Sequence, residues 1–250
     1  MTERGLIIAI DGPSGAGKGT VSRTVARRLE YRYLDTGAMY RAVAWKARHD
    51  GVDLSDGHAV AAVADRALFD LAERVIIDGH DVTAEIRTPT IDAAATLVAR
   101  SPDVRAVLVD RQRRFGAGGG VVMEGRDIGS VVFPDADVKV YLDASPEERA
   151  RRRSTDPAHA ASREASVNGI AEALNARDRN DSTRPTSPLT LAPGAVYIDT
   201  TQLGVDDVAG AGFLALGHRR LGGRNLIAAL HQERSVVLNA DRQRAAIVFQ

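Results

Sequence analysis

The 250-residue sequence contains no cysteine, which excludes disulfide scaffolds, cysteine nucleophiles and zinc or iron–sulfur centres with cysteine ligands. Its longest uninterrupted apolar run covers residues 59–64, whereas a membrane-spanning helix needs about 20 apolar residues. Residues 1–5 lack the basic and then apolar pattern of a signal peptide. We therefore expect a cytoplasmic protein that has no membrane partner.

Net charge is absent as well, because 33 lysines and arginines balance 33 aspartates and glutamates. A protein without a net positive field has no general attraction for phosphate backbones, so we expect no nucleic-acid partner. Only three of the cations are lysines, namely Lys18, Lys46 and Lys139. A role that requires lysine therefore has few candidates, whereas the abundant arginine suits two-pronged binding of phosphate or carboxylate.

The sequence does have an ordinary globular composition and a regular alternation of strand and helix patterns. The apolar run 6–10 predicts a strand buried on both faces, which is typical of a parallel sheet, and a helical pattern follows over 20–30. Further strands are predicted at 121–123, 138–142 and 195–198, and further helices at 38–47, 103–114, 147–153 and 167–176. This alternation predicts an α/β fold with a parallel sheet covered by helices.

Three segments interrupt the alternation. Residues 74–82 are centred on Asp78-Gly79 and predict a small hairpin, inserted into the main fold. Residues 154–166 are polar, lack a clear apolar face and are interpreted as a mobile flap. From His218 the chain enters a basic, glycine-interrupted stretch, and we assign no function to residues 218–250.

A glycine-rich loop lies between the first predicted strand and the first predicted helix. It consists of Gly12, Pro13, Ser14, Gly15, Ala16, Gly17, Lys18, Gly19 and Thr20. Two glycines flank four residues and lysine follows, which is the P-loop pattern. Its glycines let successive N–H groups face a phosphate, and the helix N-terminus and the lysine add positive charge. The alternative is a tight strand–helix turn with an incidental lysine.

The loop departs from the simple pattern at Gly19, where serine or threonine usually contacts magnesium. Thr20 stands one position later and could contact a phosphate or the metal. A dinucleotide-binding loop is disfavoured because it would need glycine at position 20. We therefore expect a nucleoside-triphosphate site in which Mg²⁺ is held mainly by phosphates and water, with no dedicated protein ligands.

Further motifs follow in order along the chain. They are Leu-Asp-Thr-Gly-Ala-Met-Tyr-Arg at 34–41, Glu-Gly-Arg-Asp-Ile-Gly at 124–129, Val-Val-Phe-Pro-Asp-Ala at 131–136 and Arg-Asp-Arg-Asn-Asp-Ser-Thr-Arg at 177–184, before Ser-Pro-Leu at 187–189. Together with the P-loop, this set resembles the bacterial cytidylate kinases, in the nucleoside monophosphate kinase group. The resemblance covers roughly residues 5–216, and the tail has no counterpart in it.

The resemblance implies a P-loop NTPase fold with a small β-containing insertion and a lid. It places the kinase core at residues 1–62 and 93–217, the lid at about 149–166, the monophosphate-domain insertion at 63–92 and a C-terminal extension at 218–250. It also implies a monomer that uses ATP with Mg²⁺ to phosphorylate CMP or dCMP.

The resemblance also assigns roles to individual residues. ATP would bind residues 12–20. CMP would bind Thr36, Arg41, Thr96, Arg105, Arg126, Asp127, Arg177, Asp181 and Arg184. Catalytic roles would fall to Lys18, Arg126, Arg152, Arg153 and Arg184. Asp127 would accept a hydrogen bond from the cytosine amine, and because its charge would repel a uracil carbonyl, it would favour cytosine.

Each assignment has a plainer alternative in the sequence. Arg41 could be a solvated helix cation, with Asp35 or Thr36 as the helix N-cap, and Arg126 and Asp127 could form a structural ion pair. The arginines between positions 149 and 184 could form a solvated basic face. For the whole protein, the alternatives are a P-loop kinase with another acceptor, such as UMP, dTMP or a small metabolite, and a nucleotide-binding module without catalysis.

Overall fold

The computed structural model describes residues 5–156, 166–208, 210, 236–241 and 244–249, the last two ranges through their backbone. The chain divides into two compact units. Unit 1 takes its residues from the chain up to 33, from 119–145 and from 190 onward, and unit 2 comprises 34–118 and 146–189. The division into core, insertion and extension that the resemblance implied stays a prediction.

Helices and strands alternate along most of the chain. In order, they are β1 (Ile7–Asp11), α1 (Lys18–Leu29), β2 (Arg32–Asp35), α2 (Thr36–His49), α3 (Gly57–Arg66), β3 (Phe69–Asp70), β4 (Ile76–Ile77), β5 (His80–Asp81), α4 (Pro89–Val98), α5 (Pro102–Gly116), β6 (Val121–Gly125), β7 (Val138–Asp143), α6 (Pro146–Thr155), α7 (Val167–Ser182), β8 (Val196–Asp199), β9 (Val236–Asp241) and β10 (Arg244–Phe249). A short 3₁₀ helix (Glu85–Arg87) precedes α4, and a π-helix (Ile128–Val132) follows β6.

Within the described residues, the main sheet has the strand order β2-β6-β1-β7-β8-β10-β9. Strand β1 runs parallel to both of its neighbours, so that Ile10 lies beside Glu124 on one side and Val140 on the other. All residues of β1 and β6 are buried, as expected for parallel strands covered on both faces. The predicted α/β fold with a parallel sheet is therefore confirmed.

One face of α1 forms much of the core of unit 1. Val21, Val25 and Ala26 recur at helical spacing and pack against Ile8 and Ile10 of β1. The packing of α1 on β1 fixes both elements, and therefore the loop that joins them.

Near one edge of the main sheet, β10 runs parallel to β8 and antiparallel to β9.

Unit 2 contains the second sheet, in the order β3-β4-β5. The predicted turn at Asp78-Gly79 joins β4 to β5, and both residues have positive φ angles of 48° and 81°. Helices α3 and α4 were not predicted. Their N-caps are Asp56 and Thr88, whose side chains accept hydrogen bonds from N–H groups of the first helical turn.

Helix α7 is longer than predicted and ends at Ser182 rather than at position 176. Most of the 177–184 motif is therefore helical. Within the described ranges, no helix is both long enough and apolar enough to cross a membrane.

Candidate active site

The P-loop of unit 1 depends on glycine at several positions. Gly12, Gly15 and Gly17 have φ angles of 145°, 83° and 88°, a region that L-residues with side chains rarely adopt. A Cβ atom at Gly12 would also lie 2.0 Å from the carbonyl oxygen of Leu142 in β7. The loop can therefore follow this path only with glycine at position 12.

Replacement of Gly12 with alanine is expected to lower the free energy of unfolding by about 3 kcal/mol or more, because backbone strain and a backbone clash add together. Gly51→Ala is the matched control. Gly51 has a φ of 71°, and none of the described atoms comes within 4 Å of its Cβ position, so about 1–2 kcal/mol is expected there. Urea unfolding of both variants gives the comparison, and equal losses would show that the close approach to Leu142 is unimportant.

The first turn of α1 is open to an anion. Its N-cap is Gly17, which has no side chain to accept from the first N–H groups of the helix. Lys18 is buried, and its Nζ donates to the carbonyl oxygen of Pro13 at 2.7 Å. Thr20 is exposed in the same turn. The loop therefore combines N–H donors, an ammonium group and a hydroxyl in one short segment.

Gly19 leaves room for the side chain of Glu124. A Cβ atom at position 19 would lie 3.1 Å from Oε1 of Glu124, which is tighter than an ordinary contact. Glu124 is buried at the end of β6, and the hydroxyl of Tyr33 donates to Oε1 in a short hydrogen bond. Glycine replaces the usual serine or threonine at position 19, and the carboxylate of Glu124 lies next to the loop at that position.

Asp11 holds the turn that carries Arg126 and Asp127. Its two carboxylate oxygens accept hydrogen bonds from the backbone N–H groups of Ile128 at 2.8 Å and Gly129 at 2.7 Å. Burial raises the pKa of Asp11 to about 6, although these two N–H donors act in the opposite direction. The nearby charge of Asp127 also raises this pKa, and that of Lys18 lowers it.

This raised pKa predicts a pH-dependent stability. Because folded Asp11 keeps its proton to a higher pH than the unfolded chain does, its contribution is complete below about pH 4 and is lost as the pH rises to about 6. The change from 3.8 to about 6 corresponds to about 3 kcal/mol. Urea unfolding between pH 4 and 7 should therefore show wild type losing stability relative to Asp11→Asn. Parallel curves for the two proteins would contradict this.

Arg126 and Asp127 follow directly after β6, as predicted. Arg126 is half-buried, and its Nη1 donates to the carbonyl oxygen of Gly125 at 3.4 Å. Asp127 is buried and precedes the π-helix, whose Val131 and Val132 N–H groups donate to its carbonyl oxygen. Both side chains therefore lie at the carboxyl end of a parallel strand, where α/β proteins place ligands.

In unit 2, Asp35 and Arg41 form a pair at the start of α2. Asp35 is the N-cap, and its Oδ1 accepts from the N–H of Ala38 at 3.0 Å. Its Oδ2 accepts from Arg41 Nη2 at 3.0 Å, and Arg87 lies 3.8 Å from the same oxygen. Arg41 is only 8% exposed, so the interpretation as a solvated helix cation is wrong. Thr36, next to Asp35, is buried as well.

Thr96 and Arg105 lie on neighbouring helices of unit 2. Thr96 is half-buried on α4, and its hydroxyl donates to the carbonyl oxygen of Asp92 at 2.9 Å. Arg105 is only 3% exposed in the first turn of α5, and its guanidinium carbon lies 5.6 Å from the ring centre of Tyr40. A buried arginine is uncommon, so Arg105 is distinguished by its burial, which its sequence position does not reveal.

The predicted arginines on α6, on α7 and just after α7 all lie close to carboxylates. Arg152 donates to Glu148 at 2.7 Å, while Arg184 Nη1 lies 3.9 Å from the buried carboxylate of Asp181. Arg153 and Arg177 both donate to Asp92. Hydrogen bonds from Arg151 and Arg152 lower the pKa of Glu148 to about 2. Residues 157–165 of the predicted lid lie outside the described residues.

The chain is similar to a known enzyme family over most of its length. The family model for cytidylate kinase matches residues 8–212. The chain belongs to the cytidylate kinase family. The resemblance carried by the P-loop and the motifs that follow it is thereby confirmed.

Proteins similar to this cytidylate kinase family member match it over most of its length. Cytidylate kinase from Pelotomaculum thermopropionicum is 52% identical over 210 residues, which are 80% of this chain and 91% of that protein. Cytidylate kinase from Solibacter usitatus is 44% identical over 230 residues, or 89% of this chain and 97% of that protein. Shikimate kinase from Acinetobacter baumannii, solved with shikimate, is 18% identical, with a TM-score of 0.45 and coverage of 88% of this chain and 97% of that one.

Some residues that shape this candidate site were not predicted from the sequence. Thr200 is buried after β8, and its hydroxyl contacts the carbonyl oxygens of Ala16 at 3.2 Å and Asp143 at 2.9 Å, so it supports the P-loop. The sequence also did not predict that Asp11 accepts hydrogen bonds from the turn after β6 or that Asp92 accepts from Arg153 and Arg177. The available signal was a polar residue at or just beyond the end of a parallel strand, which applies to Asp11 and Thr200 but not to Asp92.

Proposed function

We propose that the protein transfers the γ-phosphoryl group of ATP to CMP or dCMP, which gives CDP or dCDP and ADP. The observation that carries the proposal is the P-loop geometry of unit 1, with an uncapped helix N-terminus and a buried lysine, in a chain of the cytidylate kinase family. A cytoplasmic monomer, with no nucleic-acid or membrane partner, stays a prediction.

The donor nucleotide would bind residues 12–20. The N–H groups of the loop and of the first turn of α1 are suited to the phosphate oxygens of ATP. The ammonium group of Lys18 donates to the carbonyl oxygen of Pro13 within the loop. When ATP binds, it would donate to phosphate oxygens instead. These groups stabilise the charge that develops as the phosphoryl group leaves.

Magnesium would neutralise charge on the phosphates when it is bound with ATP. The donors in unit 1 fit this hard cation, because the exposed hydroxyl of Thr20 and the carboxylate of Glu124 are both oxygen groups close to the P-loop. Within the described ranges no cluster of three or more histidine, aspartate or glutamate side chains could hold a metal. We propose, as the P-loop pattern predicts, that phosphates and water supply most of the coordination.

The acceptor would bind through the residues to which the family motifs assign that role. Arg41, Arg126, Arg177 and Arg184 are proposed to bind or stabilise phosphate groups, and Thr36, Thr96, Arg105 and Asp181 to contact the rest of CMP. Asp127 would accept from the cytosine amine. The attacking group is a phosphate oxygen that is already ionised, so positioning and charge stabilisation suffice without a strong base.

A coupled ADP-release assay with ATP and Mg²⁺ tests this function across CMP, dCMP, UMP, AMP and dTMP. The proposal predicts that CMP and dCMP are strongly preferred over the other acceptors. A preference for UMP, dTMP or AMP would retain a P-loop kinase but assign it another acceptor. ADP release that does not depend on any acceptor would contradict the proposed function.

A further inference from the structure

One carboxylate in unit 2 joins Arg153, which is predicted to be catalytic, to Arg177, which is predicted to bind CMP. Asp92 lies in the first turn of α4, and its Oδ2 accepts a short hydrogen bond from Arg153 Nη2 on α6. Its Oδ1 accepts from Arg177 Nη1 on α7 at 3.1 Å. Each arginine thus has its own oxygen of the same carboxylate. Side-chain exposure is only 17% for Asp92, 14% for Arg153 and 17% for Arg177.

The charges around Arg153 show what this carboxylate offsets. The pKa of Arg153 is lowered to about 10, mainly by burial and also by the positive charges of Arg177 and Arg41. Asp92 makes the largest opposing contribution, followed by Asp156. Arg153 is therefore repelled by two other guanidinium groups in a partly desolvated region, and Asp92, which accepts from Arg153 and Arg177, counters the repulsion between these two.

The geometry of a guanidinium group makes such a contact directional. Its donors lie in one plane in a fixed fork, so a hydrogen bond on one edge sets the direction of the others. Arg153 lies on α6 and Arg177 lies on α7, and Asp92 orients both of them in this way. Thr96, the predicted CMP contact, lies one turn further along the same face of α4 and donates to the backbone of Asp92.

We propose that Asp92 is a positioning residue for phosphoryl transfer, which holds Arg153 and Arg177 at the distance and orientation in which they receive phosphate oxygens. The proposal rests on the proposed function. In this role Asp92 acts through the two arginines and not directly on the substrate. Loss of the Asp92 carboxylate keeps both arginines in the protein, but their guanidinium groups can then move apart under their mutual repulsion.

Steady-state kinetics of Asp92→Asn test this role, because asparagine keeps the shape and removes the charge. We expect kcat with CMP to fall about 10- to 100-fold, as misplaced catalytic groups commonly cost that much, while the KM for ATP stays unchanged. Asp92→Glu should restore part of kcat. Asp103→Asn is the matched control, since Asp103 is exposed in the first turn of α5, and it should behave as wild type.

A double-mutant cycle separates positioning from a general effect on the fold. In an Arg153→Met background, the factor by which Asp92→Asn lowers kcat should shrink, since one of its two targets is gone. An unchanged factor in that background, or wild-type kcat for Asp92→Asn itself, would overturn the proposal. Wild type that fails to phosphorylate CMP would instead overturn the proposed function, and this role with it. Thermal unfolding of each variant ensures that folded protein is compared.

Discussion

Lys18→Met is expected to lower kcat for CMP phosphorylation by about 100- to 1000-fold, because it removes a positive charge that is positioned before the reaction begins. Lys18 is buried in the first turn of α1 and donates to Pro13 within the P-loop. Methionine has a similar length and no charge, so the path of the loop should be retained. The coupled ADP-release assay measures the loss directly.

Lys46→Met provides the control for this prediction. Lys46 is one of only three lysines, lies on α2 and makes ion pairs with Asp50, four residues along the same helix, and with Asp78 at 3.8 Å. Its removal should cost little stability and leave kcat unchanged, as is usual for such pairs. Wild-type kcat for Lys18→Met would show that the glycine-rich loop does not act on the transferring phosphate.

Asp127→Ala is expected to reduce activity with CMP far more than activity with UMP. If the Asp127 carboxylate accepts from the cytosine amine, its loss should reduce kcat/KM for CMP by about 100-fold, since buried hydrogen-bonding sites discriminate strongly. UMP has a carbonyl at that position and should lose little, because the repelling charge disappears as well. The measurement is the ratio of kcat/KM for CMP to that for UMP in wild type and variant.

The KM for ATP serves as the internal control for Asp127→Ala, since ATP is assigned to residues 12–20. Asp127→Asn adds a second comparison, because an amide can accept from cytosine or donate to uracil and should bring the two acceptors closer together. An equal loss with CMP and UMP would mean that Asp127 supports the turn after β6 and does not read the base.

Local sequence patterns were sufficient to predict the framework of the site. The apolar run before Asp11, the glycines and the helical spacing after Lys18 all act within a few residues, and they fix the strand, loop and helix found at β1 and α1. The motif at 124–129 likewise follows a strand, as predicted. Helix α4 was missed although Thr88-Pro89 is a recognisable start signal, a threonine N-cap followed by proline at the first helical position.

The contacts that organise the candidate site could not be predicted in this way. Asp92 meets Arg153 and Arg177 across 61 and 85 residues, and Asp11 meets Ile128 across 117 residues. No spacing rule connects residues so far apart, because the fold alone brings them together. The burial of Arg41 and Arg105 could not be predicted from the sequence either, since each has an ordinary helical position there.

The most direct test of phosphoryl transfer follows the phosphate itself. Wild-type protein is incubated with CMP, Mg²⁺ and ATP labelled at the γ-phosphate, and the products are separated by anion-exchange chromatography. We predict that the label appears in CDP and that one ADP forms for each CDP. Label released as inorganic phosphate, or no labelled CDP while ATP is consumed, would contradict the assignment of this chain as a CMP kinase.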